Sequence, residues 1–146
     1  MKRIKFICTV FVFLFLAIFT NCSKEKQEIK DNIWEVESMK AHADSALRYY
    51  KEEEEISRRV PILYFERNKY FFQNRIVDDH GKVKFKKNNG IEFEESFLTL
   101  LIGGGTEFGY DCLNLLIKNI NYYTINNNKL VLTGDNGATI NLIKQE

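Results

Sequence analysis

The sequence predicts a mainly β domain of the α+β class, in which antiparallel hairpins form a barrel-like or strongly curved sheet with one or two short helices packed on it. From Ile33 onward, apolar and polar residues alternate with a period of two, which is the spacing of strands. Turns rich in Asn and Gly separate these segments. One later segment, Phe108 to Ile120, instead places apolar residues at helical spacing.

The amino terminus is typical of a secretory signal peptide. Lys2, Arg3 and Lys5 precede an apolar run from Phe6 to Phe19. A basic start followed by roughly 7 to 15 apolar residues is the signal pattern, and a transmembrane helix needs roughly 20. We therefore expect residues 1–21 to be a signal peptide that is removed.

A cysteine stands directly after this apolar run. Thr20-Asn21-Cys22 resembles the lipobox at which bacterial lipoproteins are cut and acylated, although the residues before the cysteine are bulkier than usual. The resemblance implies lipid on Cys22, where two or three acyl chains would anchor the protein stably at roughly 0.8 kcal/mol per buried methylene. Residues 22–32 are expected to form a lipidated tether. Ordinary secretion and an uncleaved anchor are the alternatives.

The remaining residues, 33–146, are expected to form a single domain in the cell envelope. The chain has 21 basic and 20 acidic residues, and without residues 1–21 it has 18 and 20. A domain so close to neutrality lacks the basic surface expected for nucleic-acid binding. Ser23, in place of Asp, follows Cys22, which by analogy with other lipoproteins favours the outer membrane over the inner one.

The domain is predicted to begin with a strand and a helix. Trp34 and Val36 alternate with acidic residues, so this strand has one apolar face and Trp34 should be buried. Ala43 to Arg59 contains no Gly or Pro, and Glu54 and Glu55 each stand four residues before an arginine. That spacing favours helical ion pairs and predicts a helix that lies on the surface or remains partly disordered.

Two hairpins are predicted next. Leu63 to Phe65 and Tyr70 to Phe72 flank Arg67-Asn68-Lys69, which suggests a turn. Farther along, a loop at Asn88-Asn89-Gly90 with Gly90 in the left-handed conformation would pair two strands. The predicted partners in this second hairpin are Phe85 with Phe93, Lys84 with Glu94, and Lys86 with Glu92.

The carboxyl-terminal part is predicted to be a helix followed by a three-stranded meander. Cys112, Leu113, Leu116, Ile117 and Ile120 form the apolar face of the helix from Phe108 to Ile120. Tyr123-Thr124-Ile125 then leads across an Asn-rich turn into the last hairpin. A loop at residues 135–137 would pair Leu132 with Ile140 and Leu130 with Leu142.

A thiol active site at Cys112 is the first catalytic hypothesis to weigh. Cys22 would be acylated, which leaves Cys112 without a disulfide partner, and His42 and His80 are the only histidines. Cys112 lies in an apolar segment, where cysteine behaves as a small buried hydrophobe. We therefore expect Cys112 to pack in the core, and we predict no catalytic residues.

Three other motifs have ordinary structural interpretations. Glu52-Glu53-Glu54-Glu55 predicts a solvated face, because consecutive helical side chains diverge. Asp78-Asp79-His80-Gly81 contains metal-binding residue types but predicts a turn. Gly103-Gly104-Gly105-Thr106 lacks the Lys and hydroxyl residue of a phosphate loop and predicts a flexible connection. We expect no metal site and no cofactor.

The order of predicted elements is similar to that of the META/HslJ-like domain. The resemblance covers residues 33–39 and 107–143, and is carried by an early Trp34, a short helix from Glu107 to Ile120, and three closing strands. It implies an envelope protein of stress or antibiotic-tolerance phenotype, without an established enzymatic activity. The chain lacks the family's Gly-Cys-Asn and Met-Ala-Cys segments, so no role that depends on them carries over.

These observations give three hypotheses for the function. The first is a non-enzymatic, lipid-anchored envelope protein that binds another protein or supports envelope integrity. The second is a lipocalin-like carrier whose 12 Phe, 7 Tyr and 1 Trp line a pocket for an apolar ligand. The third is an enzyme that uses Cys112 or the Asp78–His80 segment. A filled core would exclude the carrier, and an inaccessible Cys112 would exclude the thiol enzyme.

Overall fold

The computed structural model describes residues 24–53, 60–73, 77–94, 99–100 and 107–146. Its helices and strands, in chain order, are α1 (residues 24–30), β1 (Trp34–Lys40), β2 (Arg48–Tyr49), α2 (Tyr50–Glu53), β3 (Ile62–Glu66), β4 (Lys69–Gln73), β5 (Val77–Phe85), β6 (Ile91–Glu94), β7 (Thr99–Leu100), α3 (Glu107–Asn119), β8 (Tyr122–Asn126), β9 (Lys129–Thr133) and β10 (Thr139–Lys144). The predicted class, mainly β with short helices, is confirmed.

The strands form one antiparallel sheet that curves into a barrel-like shape. Eight of the described strands follow the order β6-β5-β4-β3-β1-β10-β9-β8, while β2 and β7 pair with β1 and β5. The two ends of this order meet at an isolated bridge between Gly90 and Tyr122. There Ile91 N–H donates to Asn121 O at 2.7 Å. The sheet is therefore nearly closed, and its two edge strands bond to each other at this seam.

The inward-facing side chains build an aromatic-rich core. Trp34 and Val36 of β1 are buried, as predicted. Pairing between β1 and β10 is irregular after Val36, and Ser38 is buried with its hydroxyl accepting a hydrogen bond from Asn141 Nδ2 at 2.9 Å. The largest fully buried side chains include Trp34, Tyr70, Tyr123, Phe72 and Phe108.

Two hairpins and the closing meander confirm the predicted strand pairs. In the β9–β10 hairpin, Leu132 pairs with Ile140 and Leu130 with Leu142. Gly137 has a φ of 81° in the connecting loop. Strand β8 pairs with β9 and completes the three-stranded meander. The β3–β4 hairpin also forms where expected.

The β5–β6 hairpin differs from the predicted register by two residues. Phe85 pairs with Ile91. Asn88 and Asn89, each with a φ of 55°, take the left-handed conformation that was expected of Gly90. A shift by an even number of residues keeps every side chain on its predicted face of the sheet.

The segment from Asp78 to Gly81 is part of strand β5, so the predicted turn is wrong. Within it, Asp79 pairs with Phe72 and Gly81 with Tyr70 of β4. A Cβ at Gly81 would stand 2.5 Å from Tyr70 Cε1. Glycine is needed here because an aromatic ring approaches the backbone closely, which is a known role of glycine inside strands.

The predicted helix from Ala43 to Arg59 is wrong for residues 43–49. Residues 41–45 form turns, β2 pairs with the end of β1, and in the described part of this segment only Tyr50–Glu53 is helical. Ala43 N–H donates to Asn136 O at 3.0 Å, so tertiary hydrogen bonding overrides helix propensity in this segment. Residues 54–59, which contain the expected ion pairs, lie outside the described residues.

Two helices lie at opposite ends of the barrel. Helix α3 confirms the prediction for residues 108–120, and its buried face packs against β6 and the barrel interior. Its last residue, Asn119, abuts Gly134 of the β9–β10 hairpin. Helix α1 instead contacts the β3–β4 turn and the end of β5 through Lys30 and Lys26. We name these the α3 end and the α1 end.

Candidate functional site

Helix α1 occupies residues 24–30 of the segment that is expected to form the tether. Its Ile29 side chain is 0% exposed, and the Trp34 indole N–H donates to Ile29 O at 3.0 Å. Asn32 Nδ2 donates to Glu28 O at 2.6 Å and so binds a carbonyl near the end of the helix. Residues 24–30 are therefore folded on the barrel through one buried isoleucine, and the lipidated tether expected over residues 22–32 stays a prediction.

A groove lined by lysines lies beside α1. Its volume is about 370 Å³, and the residues around it are Lys26, Lys30, Asn68, Lys82, Val83, Lys84 and Phe85. Lys26 Nζ and Lys30 Nζ lie 5.4 and 5.3 Å from the centroid of the Phe85 ring. Both ammonium groups are thus within cation–π distance of one aromatic ring. The groove combines an apolar floor with concentrated positive charge.

Main-chain carbonyls hold two of the three α1 lysines, Lys26 and Lys30, in place. Lys26 Nζ donates to Phe85 O at 3.4 Å, and Lys30 Nζ donates to Arg67 O at 2.7 Å. Within the described residues, neither lysine forms an ion pair with a carboxylate. Their positive charge is therefore not neutralised by that part of the domain.

The charges on the neighbouring strands are partly paired. Lys84 bonds to Glu94, and Lys86 Nζ lies 2.8 Å from Glu92 Oε2, so both expected ion pairs form, now as diagonal neighbours. The hydrogen bond from Lys84 to Glu94 raises the pKa of that lysine, and Lys86 lowers the pKa of Glu92 in the same way. These four groups are solvated, so their contribution to stability is small.

A second groove lies at the α3 end. It measures about 410 Å³ between the β1–β2 connection and α3, and its lining includes Met39, Leu115 and Lys118. Arg48 Nη1 bonds to Asp111 Oδ2 at 2.7 Å across it, and the Arg48 guanidinium lies 5.5 Å from the centroid of the Phe108 ring. This groove is mostly apolar, in contrast to the lysine groove.

The residues of the thiol hypothesis do not form a reactive site. Cys112 is fully buried, and this burial strongly raises the pKa of its thiol. His42 is exposed in the turn after β1, while His80 is exposed on β5 and stacks on Phe71 at 5.8 Å. A buried, protonated thiol lacks the accessible thiolate that nucleophilic catalysis requires.

The structure buries one carboxylate that the sequence did not single out as a core residue. Asp79 is 1% exposed, and the Tyr70 hydroxyl donates to its Oδ2 at 3.0 Å. Tyr70 also packs edge-on against Phe93 at 5.2 Å. This hydrogen bond offsets part of the desolvation of the buried carboxyl group. It ties β4 to β5 inside the core.

Several predicted sites lie outside the described residues. These are Cys22 and the signal segment, Gly103–Thr106, and the second half of the four-glutamate run, whose first half belongs to α2. Among the residues that are described, no three His, Cys, Asp or Glu side chains gather as metal ligands. In the same ranges, no helix is long and apolar enough to cross a bilayer.

Comparison with known proteins supports the fold but identifies no family. The chain matches no protein-family model and no curated protein. It is similar to a protein from Burkholderia xenovorans whose structure was solved by NMR, with a TM-score of 0.59 and 16% sequence identity. The match covers 82% of this chain and 85% of that one. At this identity the likeness concerns the fold alone.

The lysine groove is the feature that sequence reasoning missed. The near-neutral net charge of the domain does not reveal a local cluster of lysines. Lys26 and Lys30 are four residues apart, which places them on the same face of a helix. That spacing was the available signal.

Proposed function

We propose that this protein is a non-enzymatic lipoprotein of the bacterial envelope, anchored through lipid on Cys22. The observation that carries the proposal is the sequence pattern at the amino terminus, in which Cys22 ends a signal-like apolar run. The position of α1 supports it, because the folded domain begins only two residues after Cys22. A lipid on that cysteine would hold the barrel directly at a membrane, with the outer membrane favoured by Ser23.

The proposal that the protein acts by binding another envelope component rests on its surface. Leu47 and Tyr110 are 42% and 45% exposed, and in the sequence each directly precedes a residue that lines the groove of the α3 end, Arg48 or Asp111. Large exposed apolar side chains near a groove are common at protein interfaces. The burial of Cys112 argues against catalysis by its thiol.

A lipocalin-like carrier remains the alternative, and the core argues against it. The inward-facing aromatic side chains contact one another: Phe85 packs edge-on against Phe65 and Tyr123, each at 5.8 Å, and Tyr70 against Phe93. In a carrier these positions would line a ligand cavity. Among the described residues they form one continuous hydrophobic cluster.

We also propose that the domain is META/HslJ-like. An early strand that contains Trp34, followed by hairpins, helix α3 and the β8–β10 meander, supports the resemblance. The two cysteine-containing segments of that family are missing from this chain. The proposed membership therefore implies a location in the cell envelope, but it assigns no functional residues to this chain.

The test is the intact mass of the protein purified from membranes of a bacterial host. The expected mass corresponds to a chain that begins at Cys22 and carries two or three acyl chains. A Cys22→Ser variant should lose this mass, whereas a Cys112→Ser control should keep it. An unmodified chain in the membrane fraction would contradict lipid anchoring.

A further inference from the structure

We propose that the lysine groove at the α1 end is a membrane-docking surface that binds the phosphate groups of anionic lipid headgroups. The proposal rests on the proposed lipid anchor at Cys22 and adds to it an orientation of the barrel. It is argued from Lys26 and Lys30 of α1, which form no ion pair within the described residues, from the lysines of β5 beside them, and from the short stretch of chain between α1 and the proposed anchor.

The positive charge around Lys82 is only partly neutralised by its neighbours. Lys69 and Lys82 are direct cross-strand partners on β4 and β5, and Lys69 also faces Glu66 on β3. Like charges in directly opposed positions destabilise a sheet. On its other side Lys82 faces Glu94, but the carboxylate of Glu94 already bonds to Lys84. An anionic surface would relieve this repulsion.

The lysines adopt positions suited to a shared anionic ligand. Lys26 and Lys30 are held by carbonyl oxygens and lie over the same Phe85 ring. Each ammonium group carries three donors, so one bond to a carbonyl leaves donors for a phosphate oxygen. The groove therefore concentrates donors that this part of the fold does not use internally.

The proposed anchor brings this groove to the bilayer surface. The first residue of α1, Lys24, is two positions after Cys22, a reach of at most about 7 Å. Helix α1 has seven residues and is about 10 Å long. The α1 lysines would then lie within roughly one or two Debye lengths of the headgroups, where attraction is still effective. The α3 end would face away from the membrane.

The charge pattern favours a membrane over nucleic acid as the occupant. The domain as a whole is near neutral, with 18 basic and 20 acidic residues after residue 21. A nucleic acid would need an extended basic track along its backbone. A membrane surface needs only a local cluster at the anchored end, where each lysine strengthens binding about fivefold.

The experiment measures which lysines the membrane protects. The protein purified from membranes is reconstituted into vesicles of phosphatidylcholine alone, or of phosphatidylcholine with one-third phosphatidylglycerol. Lysines are then acetylated briefly and the modification at each site is read by mass spectrometry. We expect acetylation of Lys26, Lys30 and Lys82 to fall several-fold in the anionic vesicles. Lys51 and Lys118, at the α3 end, should be modified equally in both.

Two charge variants sharpen the test. A variant with Lys26→Gln, Lys30→Gln and Lys82→Gln, added without acyl chains to preformed anionic vesicles, should bind on the order of 100-fold more weakly than the unsubstituted chain. The corresponding Lys→Arg variant should bind normally. A control that removes three charges at Lys40, Lys51 and Lys118 should also bind normally. Equal thermal stability of all variants would show that they are folded.

Three outcomes would contradict the docking proposal. Equal acetylation in the two kinds of vesicle would do so, as would protection at Lys118 equal to that at Lys26. Protection produced by inorganic phosphate without vesicles would identify a soluble anion as the ligand. A missing acyl chain on Cys22 would defeat only the proposed anchor, because binding of the non-acylated chain is measured separately.

Discussion

The docking of α1 makes a quantitative prediction about the Ile29→Ala substitution. Ile29 is completely buried, and it is the only apolar residue of the helix in the core cluster. Removing a buried isoleucine to alanine typically destabilises a protein by about 2 to 5 kcal/mol. The helix is short and lies at one end of the barrel, where it can relax. We therefore expect a loss of about 2 to 3 kcal/mol in the free energy of unfolding.

The single tryptophan provides the assay. Trp34 is buried and its indole bonds to Ile29 O, so its fluorescence reports unfolding of the barrel at the α1 end. Equilibrium unfolding in urea would compare the wild-type protein with Ile29→Ala and with Lys24→Ala, an exposed change on the same helix. The control should stay within about 0.5 kcal/mol of the wild type. An equally small effect for Ile29→Ala would mean that residues 24–30 behave as a tether.

Three further predictions concern the core. Cys112 should resist alkylation by iodoacetamide in the native protein and react fully in urea. Burial raises the pKa of this thiol, so the thiol ionises at about pH 8.5 in the unfolded chain and only at higher pH in the folded protein. The free energy of unfolding should therefore fall as the pH rises above about 8.5. Cys112→Ala should remove this part of the fall, measured as the midpoint of urea unfolding. Gly134→Ala should lower stability by about 1 to 3 kcal/mol in thermal unfolding, because its Cβ would collide with the main chain of Asn119. Tyr70→Phe should destabilise by a similar amount by removing the hydrogen bond to Asp79, whereas an unchanged melting temperature would contradict that role.

Local sequence signals predicted the parts of the fold in which local chemistry decides the structure. The β9–β10 register followed from apolar alternation around a loop that contains Gly137. The β5–β6 register did not, because both asparagines of an Asn-Asn-Gly sequence can adopt the left-handed conformation, and the turn used Asn88 and Asn89. Because the shift was even, each side chain still lies on the predicted face of the sheet. The predicted ion pairs between lysine and glutamate also form.

Long-range contacts account for the other errors. Gly81 resembles a turn residue in the sequence, yet it accommodates the Tyr70 ring from the neighbouring strand. The segment after Ala43 has helical composition, yet β2 pairs with β1, and Arg48 reaches Asp111 on α3. In both places the deciding partner is distant in the sequence. No local pattern contains that information.

Helix α1 connects the fold to the proposed function. A helix of seven residues is too short to be stable alone, since isolated helices need roughly 12 to 15 residues even to be marginal. It persists because Ile29 and Trp34 hold it on the barrel. If lipid is attached at Cys22, the same contacts limit how far the barrel can rotate away from the membrane. Ile29→Ala should therefore reduce the protection of Lys82 by anionic vesicles, although Lys82 lies on β5 and keeps its charge.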